Sequence, residues 1–411
     1  MATIHIKNLG PIKDTGLINL TNVLLIIGRQ SSGKSTFMKV LCYCRWIEKK
    51  IMTSFENTIQ TYTHNKRFTK DLKQFHRIDE IYFNDDTEII YDGDVVTISL
   101  TGTDQNARIV RKQDVWEDRY NSKLSYIPAE RNLVSAVRNI NDTYKAKERD
   151  SIFNFIQEWY EAKDAYGSDN KLSLSLTDDF KYYNDKGLDY VVLPNGKPIT
   201  SFYASSGVQS VMPIDVMTDY IMGIVGKVVK FSMTDLMNRL MESLDTDVRN
   251  KIAHGTQEVT EAELAPIREK MKYQSAQLFI EEPEQNLYPD AQRMLVQNII
   301  RHLKAVQSEG KHHSMVVLTT HSPYILSTLN VLIADAAAIE KKPDDERLKD
   351  IVDDTTLLPT DAISAYFINK DGVFEDIKDM EIPMLSGIDL DSVSDWVDGH
   401  VGRINEILYA E

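Results

Sequence analysis

The chain has 411 residues, of which 42% are hydrophobic and 27% charged, the balance of a folded protein with a sizeable core. This composition excludes a disordered or fibrous chain. Its 47 basic and 62 acidic residues give a net charge of −15, which argues against the broad basic surface that sequence-independent binding of duplex DNA needs. A local basic patch stays compatible with this charge.

The cysteines and the apolar stretches indicate the compartment. Cys42 and Cys44 are two residues apart on a predicted helix, where they point to different sides and can neither pair nor chelate together. The first residues lack a signal-peptide pattern, and polar or charged residues interrupt the most apolar stretches, 211–231 and 314–335. We therefore expect a cytoplasmic protein without a membrane span.

The N-terminal part predicts three short strands and a helix. The strands are expected over 3–7, 16–20 and 23–28, and the last is a continuous apolar run that ends at a glycine, as buried strands do. The helix is expected from Lys34 to about Lys50. Its buried side is predicted to carry Phe37, Leu41, Cys44 and Ile47.

The middle of the chain mixes hairpins and helices. Strands at 87–91 and 95–100 flank Asp92-Gly93-Asp94, and a second hairpin is predicted around 194–197. A strand is expected at 124–127. Residues 132–166 and 209–274 are predicted to be largely helical.

A second α/β pattern begins at Ala276, with a strand at 276–280, a helix at 290–305 and a strand at 315–319. We expect residues 1–50 and 275–330 to share one sheet, with everything between them inserted. The predicted regions are a core lobe of 1–131 and 275–335 with a β-rich insertion at about 51–123, a helical lobe of 132–274, and a C-terminal α/β extension of 336–411 packed on the core.

The strand at 23–28 leads into a phosphate-binding loop. Gly28-Arg29-Gln30-Ser31-Ser32-Gly33-Lys34-Ser35 matches G-x-x-x-x-G-K-[ST] at every fixed position and stands between a strand and a helix. The loop N–H groups cradle phosphates, Lys34 reaches the β and γ oxygens, and the Ser35 hydroxyl takes a Mg²⁺ position. The motif predicts ATP and Mg²⁺ as ligands.

Three further motifs supply groups that nucleotide hydrolysis needs. The strand at 276–280 ends in Glu281 and Glu282, which we predict to hold Mg²⁺ and to act as general base, respectively. The strand at 315–319 delivers His321 to its carboxyl end, where ligands sit in open α/β sheets. A small-residue turn at Ser205 precedes a helix, and is either an anion-binding helix N-terminus or an ordinary helix cap.

Together these motifs resemble the ABC-type ATPase head of the SMC, RecF and OLD (overcoming lysogenisation defect) group. The resemblance places Walker A at 28–35, the signature at 205–209, Walker B at 280–282 and the switch histidine at His321. Segments 282–289 and 319–326 are similar to the D-loop and H-loop regions of OLD-like ATPases. No long heptad arm interrupts the chain, and we expect no TOPRIM nuclease domain in the residues after Ala336, which are too few for one.

The resemblance implies a P-loop NTPase fold of ABC type, with a mixed sheet core and a largely helical second lobe inserted. It also implies a homodimer with two composite ATP sites, each joining Walker A of one chain to the signature of the other. Such ATPases regulate nucleases or toxins in phage defence or act on DNA ends, so a protein effector or a nucleic acid is an expected partner. The resemblance implies three catalytic residues, Lys34, Glu282 and His321. It implies that Mg²⁺ is bound by Ser35 and Glu281. The residues implied to bind nucleotide are Gly28, Arg29, Gln30, Ser31, Ser32, Gly33, Lys34, Ser35, Thr36, Ser206, Gly207 and Gln209.

The sequence departs from the family pattern and leaves alternatives. Glu281 replaces the usual Walker B aspartate, Ser205 and Val208 replace the usual leucine and second glycine of the signature, and no clear Q-loop glutamine is present. In the Q-loop region, Glu130 or Arg131 either approaches metal or phosphate or forms a structural ion pair.

Two other functions stay open. One is an ATP-sensing module that licenses a separate effector without useful turnover. The other is a ribonuclease, because 249–255 resembles the R-N-x-x-x-H signature of HEPN ribonucleases through Arg249 and His254; a helix end capped by Gly255 explains the same residues.

Overall fold

A computed structural model describes residues 2–53, 58–102, 106–112, 120–144, 149–177, 179–227, 272–309, 312–379, 382–387, 400 and 403. Sixteen strands lie in this part of the chain. In chain order they are β1 (Thr3–Leu9), β2 (Ile12–Asp14), β3 (Ile18–Asn19), β4 (Val23–Gly28), β5 (Glu88–Asp92), β6 (Val96–Thr101), β7 (Arg108–Arg111), β8 (Ser122–Ile127), β9 (Leu172–Ser173), β10 (Lys181–Asp185), β11 (Leu188–Val192), β12 (Pro198–Thr200), β13 (Ser275–Glu281), β14 (Met315–Thr320), β15 (Ile363–Ile368) and β16 (Phe374–Asp376).

Among the described residues, α-helices alternate with strands from β13 to β15. The α-helices of this part of the chain are α1 (Lys34–Thr53), α2 (Thr58–Thr63), α3 (Arg67–His76), α4 (Leu133–Ala136), α5 (Ile140–Thr143), α6 (Ser151–Lys163), α7 (Ser206–Gly223), α8 (Pro289–Glu309) and α9 (Pro323–Lys341). The longer helices α1 and α8 follow strands β4 and β13, which is the β-to-α order of an α/β fold.

A six-stranded central sheet has the order β16-β15-β4-β14-β13-β8. Five of its strands are parallel, and β16 pairs antiparallel with β15 at the edge. The sheet is therefore mixed, and the predicted α/β class is confirmed. Because β4 pairs with β14, the first and last parts of the chain do share one sheet, as the sequence predicts.

The apolar run of β4 is buried on both faces of this sheet. Val23, Leu25 and Ile27 pack into one hydrophobic core, and Leu24 and Ile26 into another. Since successive side chains of a strand point to opposite faces, a strand covered on both sides needs apolar residues throughout. The first core includes side chains of α6 to α9, and the second includes side chains of α1 and β1.

Two antiparallel sheets accompany the central one. β1, β2, β3, β5, β6 and β7 form the first, and its β5–β6 pair is the hairpin predicted around Asp92-Gly93-Asp94. The second sheet has the order β12-β11-β10-β9, and its β11–β12 pair is the second predicted hairpin. The described part of the region predicted to be a helical lobe thus contains a four-stranded sheet beside α4 to α7.

The C-terminal region contributes directly to the core. β15 lies beside β4, so part of 336–411, predicted to pack on the core as an extension, is a strand of the central sheet itself. On α1, the predicted buried side chains Phe37, Leu41, Cys44 and Ile47 are all buried. In the part of the chain that is described, no helix combines the length and apolarity that crossing a bilayer requires.

Candidate functional site

Three neighbouring parallel strands bring the predicted motifs to one edge of the central sheet. β4 ends at Gly28, β13 ends at Glu281 and β14 ends at Thr320, next to His321. β14 pairs with both of the other strands. The carboxyl ends of parallel strands are where α/β sheets bind ligands, so the three motifs form a single candidate site.

Backbone geometry explains the small residues of the phosphate-binding loop. Ser31 and Gly33 have positive φ values of 60° and 108°. A Cβ atom at Gly33 would lie 2.8 Å from Cγ1 of Ile12, so the loop has no room for a larger residue there. Arg29, Gln30, Ser31 and Ser35 are exposed, whereas Gly28, Gly33, Lys34 and Thr36 are buried.

Lys34 folds over the loop that precedes it. Its Nζ donates hydrogen bonds of 2.7 Å to the carbonyl oxygens of Gly28 and Arg29. Burial lowers the pKa of this ammonium, and the nearby carboxylates of Glu282, Glu284 and Glu281 oppose the shift. The Lys34 ammonium therefore interacts electrostatically with the carboxylates at and after the end of β13.

The two acids at the end of β13 have different surroundings because the chain turns between them. Glu281 is buried; its Oε2 accepts from the backbone N–H of Ala129 at 3.3 Å, while its Oε1 has no hydrogen-bond partner within the part of the chain that the structure describes. Glu282 has a positive φ of 42°, and its N–H donates to the carbonyl of Thr319 at 2.9 Å. The chain thus turns after Glu281, and Glu282 lines the cavity of the phosphate-binding loop.

His321 lies beside two carboxylates. Its Nδ1 is 3.2 Å from Oε1 of Glu284 and 3.9 Å from Oε1 of Glu282. The His321 side chain is 43% exposed and Glu282 is 31% exposed, whereas Glu284 is buried. The site therefore holds a partly exposed carboxylate and a histidine, backed by a buried acid that the sequence motifs did not single out.

A cavity of about 290 Å³ surrounds the phosphate-binding loop. Residues 31–36 and Glu282, all predicted site residues, form one part of its wall. The remaining lining side chains are ones that the sequence analysis missed: Pro11, Lys39, Arg77, Ile78, Asp79 and Tyr82. Most of them follow α3, in the insertion, so no local motif connects them to the loop.

The predicted signature segment starts α7. The Ser205 side chain caps this helix by accepting from the N–H of Val208 at 3.5 Å. Anion binding at the same helix N-terminus stays a prediction. Ser206 is exposed and Gly207 is half-buried. The Gln209 amide donates to the carbonyls of Ser201 and Phe202 at 3.0 and 3.1 Å, which fixes this side chain within its own chain.

Arg131 is a buried residue that binds carbonyl oxygens. Its Nη1 and Nη2 donate to the carbonyls of Glu281 and Glu282 at 2.8 Å, and its Nε donates to Ser210 at 3.0 Å. Burial lowers its pKa to about 10. These contacts differ from both predicted roles, because within the described residues Arg131 forms no ion pair and does not line the phosphate-loop cavity. Glu130 is exposed.

Arg249 and His254, proposed as a HEPN-like pair, fall outside the described residues. Their role therefore stays a prediction.

The donors at the strand ends fit a Mg²⁺ ion. Glu281 offers a buried carboxylate oxygen that has no hydrogen-bond partner among the described residues, and Ser35 offers an exposed hydroxyl at the start of α1. Mg²⁺ in nucleotide sites takes only one or two protein oxygens and fills its other positions with phosphate oxygens and water.

Comparison with known proteins supports an ATPase. The family model of an AAA ATPase domain matches residues 256–326, a segment that includes Glu281, Glu282, α8 and His321. The matched segment resembles an ATPase domain. It is well under half of the chain, and no curated protein matches the chain.

Solved structures with low identity also match over most of the chain. The SMC head domain from Thermotoga maritima has 10% identity and a TM-score of 0.35, with 93% of this chain and 98% of that chain covered. The Smc head domain from Pyrococcus furiosus, bound to the C-terminal domain of ScpA, has 10% identity and a TM-score of 0.37, with 97% and 100% covered. An ATP-binding cassette of an ABC transporter in its ADP conformation has 9% identity and a TM-score of 0.29, with 91% and 90% covered.

Proposed function

We propose that the protein is an ABC-type, OLD-like ATPase that binds Mg·ATP and hydrolyses it. The observation that carries this proposal is the convergence of Lys34, Glu282 and His321 at one sheet edge, with Glu282 lining the cavity of the phosphate-binding loop. A cavity with a phosphate cradle and an accessible carboxylate is what in-line attack of water on a phosphate requires.

Each side chain has a distinct task in this reaction. Loop N–H groups and the Lys34 ammonium hold the phosphate oxygens and compensate charge that develops on them. Glu282 accepts a proton from the attacking water, and His321 orients that water or the terminal phosphate. Ser35 and Glu281 hold Mg²⁺, which when bound neutralises phosphate charge.

We also propose that ATP joins two copies of the chain, with Ser206 and Gly207 completing the site of the partner. The N-terminus of α7 is accessible, as a group that acts in another chain must be. Exposed aromatic side chains occur next to the predicted signature, at Tyr203, and within the predicted D-loop and H-loop segments, at Tyr288 and Tyr324; they are 69%, 76% and 51% exposed. Accessible aromatic residues are enriched in protein interfaces, which supports contacts of these segments with a second copy.

The dimer is proposed to switch a bound partner. The net charge of −15 disfavours extended contacts with nucleic acid, so we favour a protein effector over DNA or RNA. A regulated nuclease or toxin is the class of effector that the OLD resemblance implies.

Steady-state hydrolysis of Mg·ATP tests the proposed activity. We expect turnover by the wild-type protein, and its loss in Glu282→Gln, which keeps the side-chain shape but removes the base. Lys34→Ala is expected to lose binding as well. Equal, negligible turnover by wild-type and Glu282→Gln proteins that both bind ATP would favour the ATP-sensing alternative.

A further inference from the structure

The Arg131 guanidinium joins the turn that carries Glu282 to helix α7. It donates to the carbonyls of Glu281 and Glu282 on one side and to the carbonyl of Ser210 on the other. A longer contact of 3.4 Å reaches the carbonyl of Pro283. The planar guanidinium has five N–H donors in a fixed fork, so one side chain can fix several carbonyls at once.

The turn that Arg131 holds is unfavourable for the residue at its centre. Glu282 has a φ of 42°, a left-handed conformation that residues with a Cβ atom adopt rarely. Such a conformation persists only where surrounding contacts enforce it. The N–H of Glu282 is fixed by the carbonyl of Thr319, and its carbonyl accepts from both Arg131 and the N–H of Gln285.

A second contact ties the same loop to the same point of α7. The Asn286 side chain donates to the hydroxyl of Ser210 at 3.0 Å. The backbone of this loop also lies against the start of α7, because a Cβ atom at Gly207 would be 3.1 Å from the Asn286 carbonyl oxygen. Movement of α7 is thereby connected to the turn at Glu282.

We propose that Arg131 is a positioning residue for hydrolysis, which holds the Glu282 turn in its active geometry and links that geometry to the position of α7. This inference rests on the proposed ATPase function. Within the described residues, no carboxylate lies within ion-pair distance of the guanidinium; Glu284, Glu282 and Glu281 act on its charge from farther away, and its direct contacts are with backbone carbonyls. The role therefore depends on the number and direction of its donors, which a lysine cannot reproduce.

The test compares Arg131→Lys with wild type by ATP affinity and by kcat. We expect Arg131→Lys to bind ATP within about threefold of wild type, because the side chain does not line the phosphate cavity, and to lower kcat at least tenfold. In the Glu282→Gln background the same substitution is expected to reduce the residual rate no further, since Arg131 acts through Glu282. Arg301→Lys, an exposed arginine of α8, is the matched control and leaves both values unchanged.

Three outcomes would overturn the inference: an unchanged kcat, an equal loss of affinity and kcat, or a further large loss in the Glu282→Gln background. If Arg131→Lys does not fold, Asn286→Gly tests the link from the loop side, because glycine keeps the positive φ of 62° at this position and removes only the contact to Ser210. An unchanged kcat in Asn286→Gly would then refute the link. Wild-type turnover distinguishes the two failures. If the wild-type protein does not hydrolyse ATP, the proposed function fails and the inference fails with it. If it does, an unchanged kcat in Arg131→Lys refutes the inference alone.

Discussion

Glu284 holds His321 by both its backbone and its ring. The N–H of His321 donates to Oε1 of Glu284 at 2.9 Å, and the ring Nδ1 lies 3.2 Å from the same oxygen. Because Glu284 is buried, this carboxylate gives the histidine a fixed position at the carboxyl end of β14. The His321 side chain is nevertheless 43% exposed.

Removal of this support is predicted to impair turnover more than binding. Glu284→Ala frees the His321 backbone and ring, so we expect a loss of kcat of roughly tenfold to hundredfold, the range of charge-assisted hydrogen bonds. ATP affinity should change little, since the phosphate-binding loop is untouched. Steady-state kinetics with a parallel binding titration checks this, and a Glu284→Ala protein with wild-type kcat would show that His321 needs no anchor.

The start of α7 allows a matched pair of glycine substitutions. A Cβ atom at Gly207 meets the Asn286 carbonyl at 3.1 Å, whereas a Cβ atom at Gly223, the last residue of the same helix, meets nothing within 4 Å. We expect Gly207→Ala to lower hydrolysis at least tenfold with ATP binding intact, and Gly223→Ala to match wild type. Equal rates in the two variants would mean that the Gly207 surface has no role in turnover.

Arg77 is predicted to contribute to nucleotide affinity. It lines the phosphate-loop cavity and has a φ of 56° at the C-terminus of α3. Arg77→Gly removes the guanidinium but tolerates this backbone conformation, so an affinity loss of about tenfold is expected from the lost charge contact. The control is Lys66→Gly, at the other end of α3 with a φ of 55° and outside the cavity. A binding titration that shows the same affinity for both variants would contradict a role for Arg77.

The buried carboxyl group of Asp215 is expected to make the stability of the protein depend on pH. Burial raises its pKa to about 6, although Ser175 and Asn298 donate three hydrogen bonds to its carboxylate. Because the folded-state pKa lies above the unfolded value, the proton stabilises the folded state, and this contribution is lost as pH rises through about 6.

The measurement is the free energy of unfolding of wild-type and Asp215→Asn proteins at pH 5 and pH 7. The asparagine does not titrate, so the stability of wild type relative to the variant is expected to fall by about 1 kcal/mol between these pH values. The exposed Asp371→Asn serves as control, with a constant difference from wild type. A constant difference for Asp215→Asn as well would refute the raised pKa.

The sequence predicted those parts of the site that depend on local pattern. The apolar strand before Gly28, the phosphate-binding loop and the strands that deliver Glu281 and His321 each combine a periodic run with a motif at its end. The structure brings these motifs together by pairing β4, β14 and β13. Because parallel strands run in the same direction, their carboxyl ends meet at one edge of the sheet, and the three motifs were expected there.

The missed features depend on contacts distant in sequence. Arg77 and Tyr82 reach the cavity from the insertion after α1, and no spacing rule connects them to the loop. Arg131 was expected at phosphate, metal or a carboxylate, but it binds backbone carbonyls, which leave no signature in side-chain patterns. β15 was assigned to an extension because its position beside β4 depends on a long-range pairing.

The most direct test of the account is the molar mass of purified Glu282→Gln protein in solution, with and without Mg·ATP. This variant is predicted to bind ATP, hydrolyse it only at a small residual rate and change from monomer to dimer, whereas Lys34→Ala stays monomeric under both conditions. A Glu282→Gln protein that binds ATP and remains monomeric would contradict the composite site formed by the phosphate-binding loop of one chain and Ser206 and Gly207 of the other.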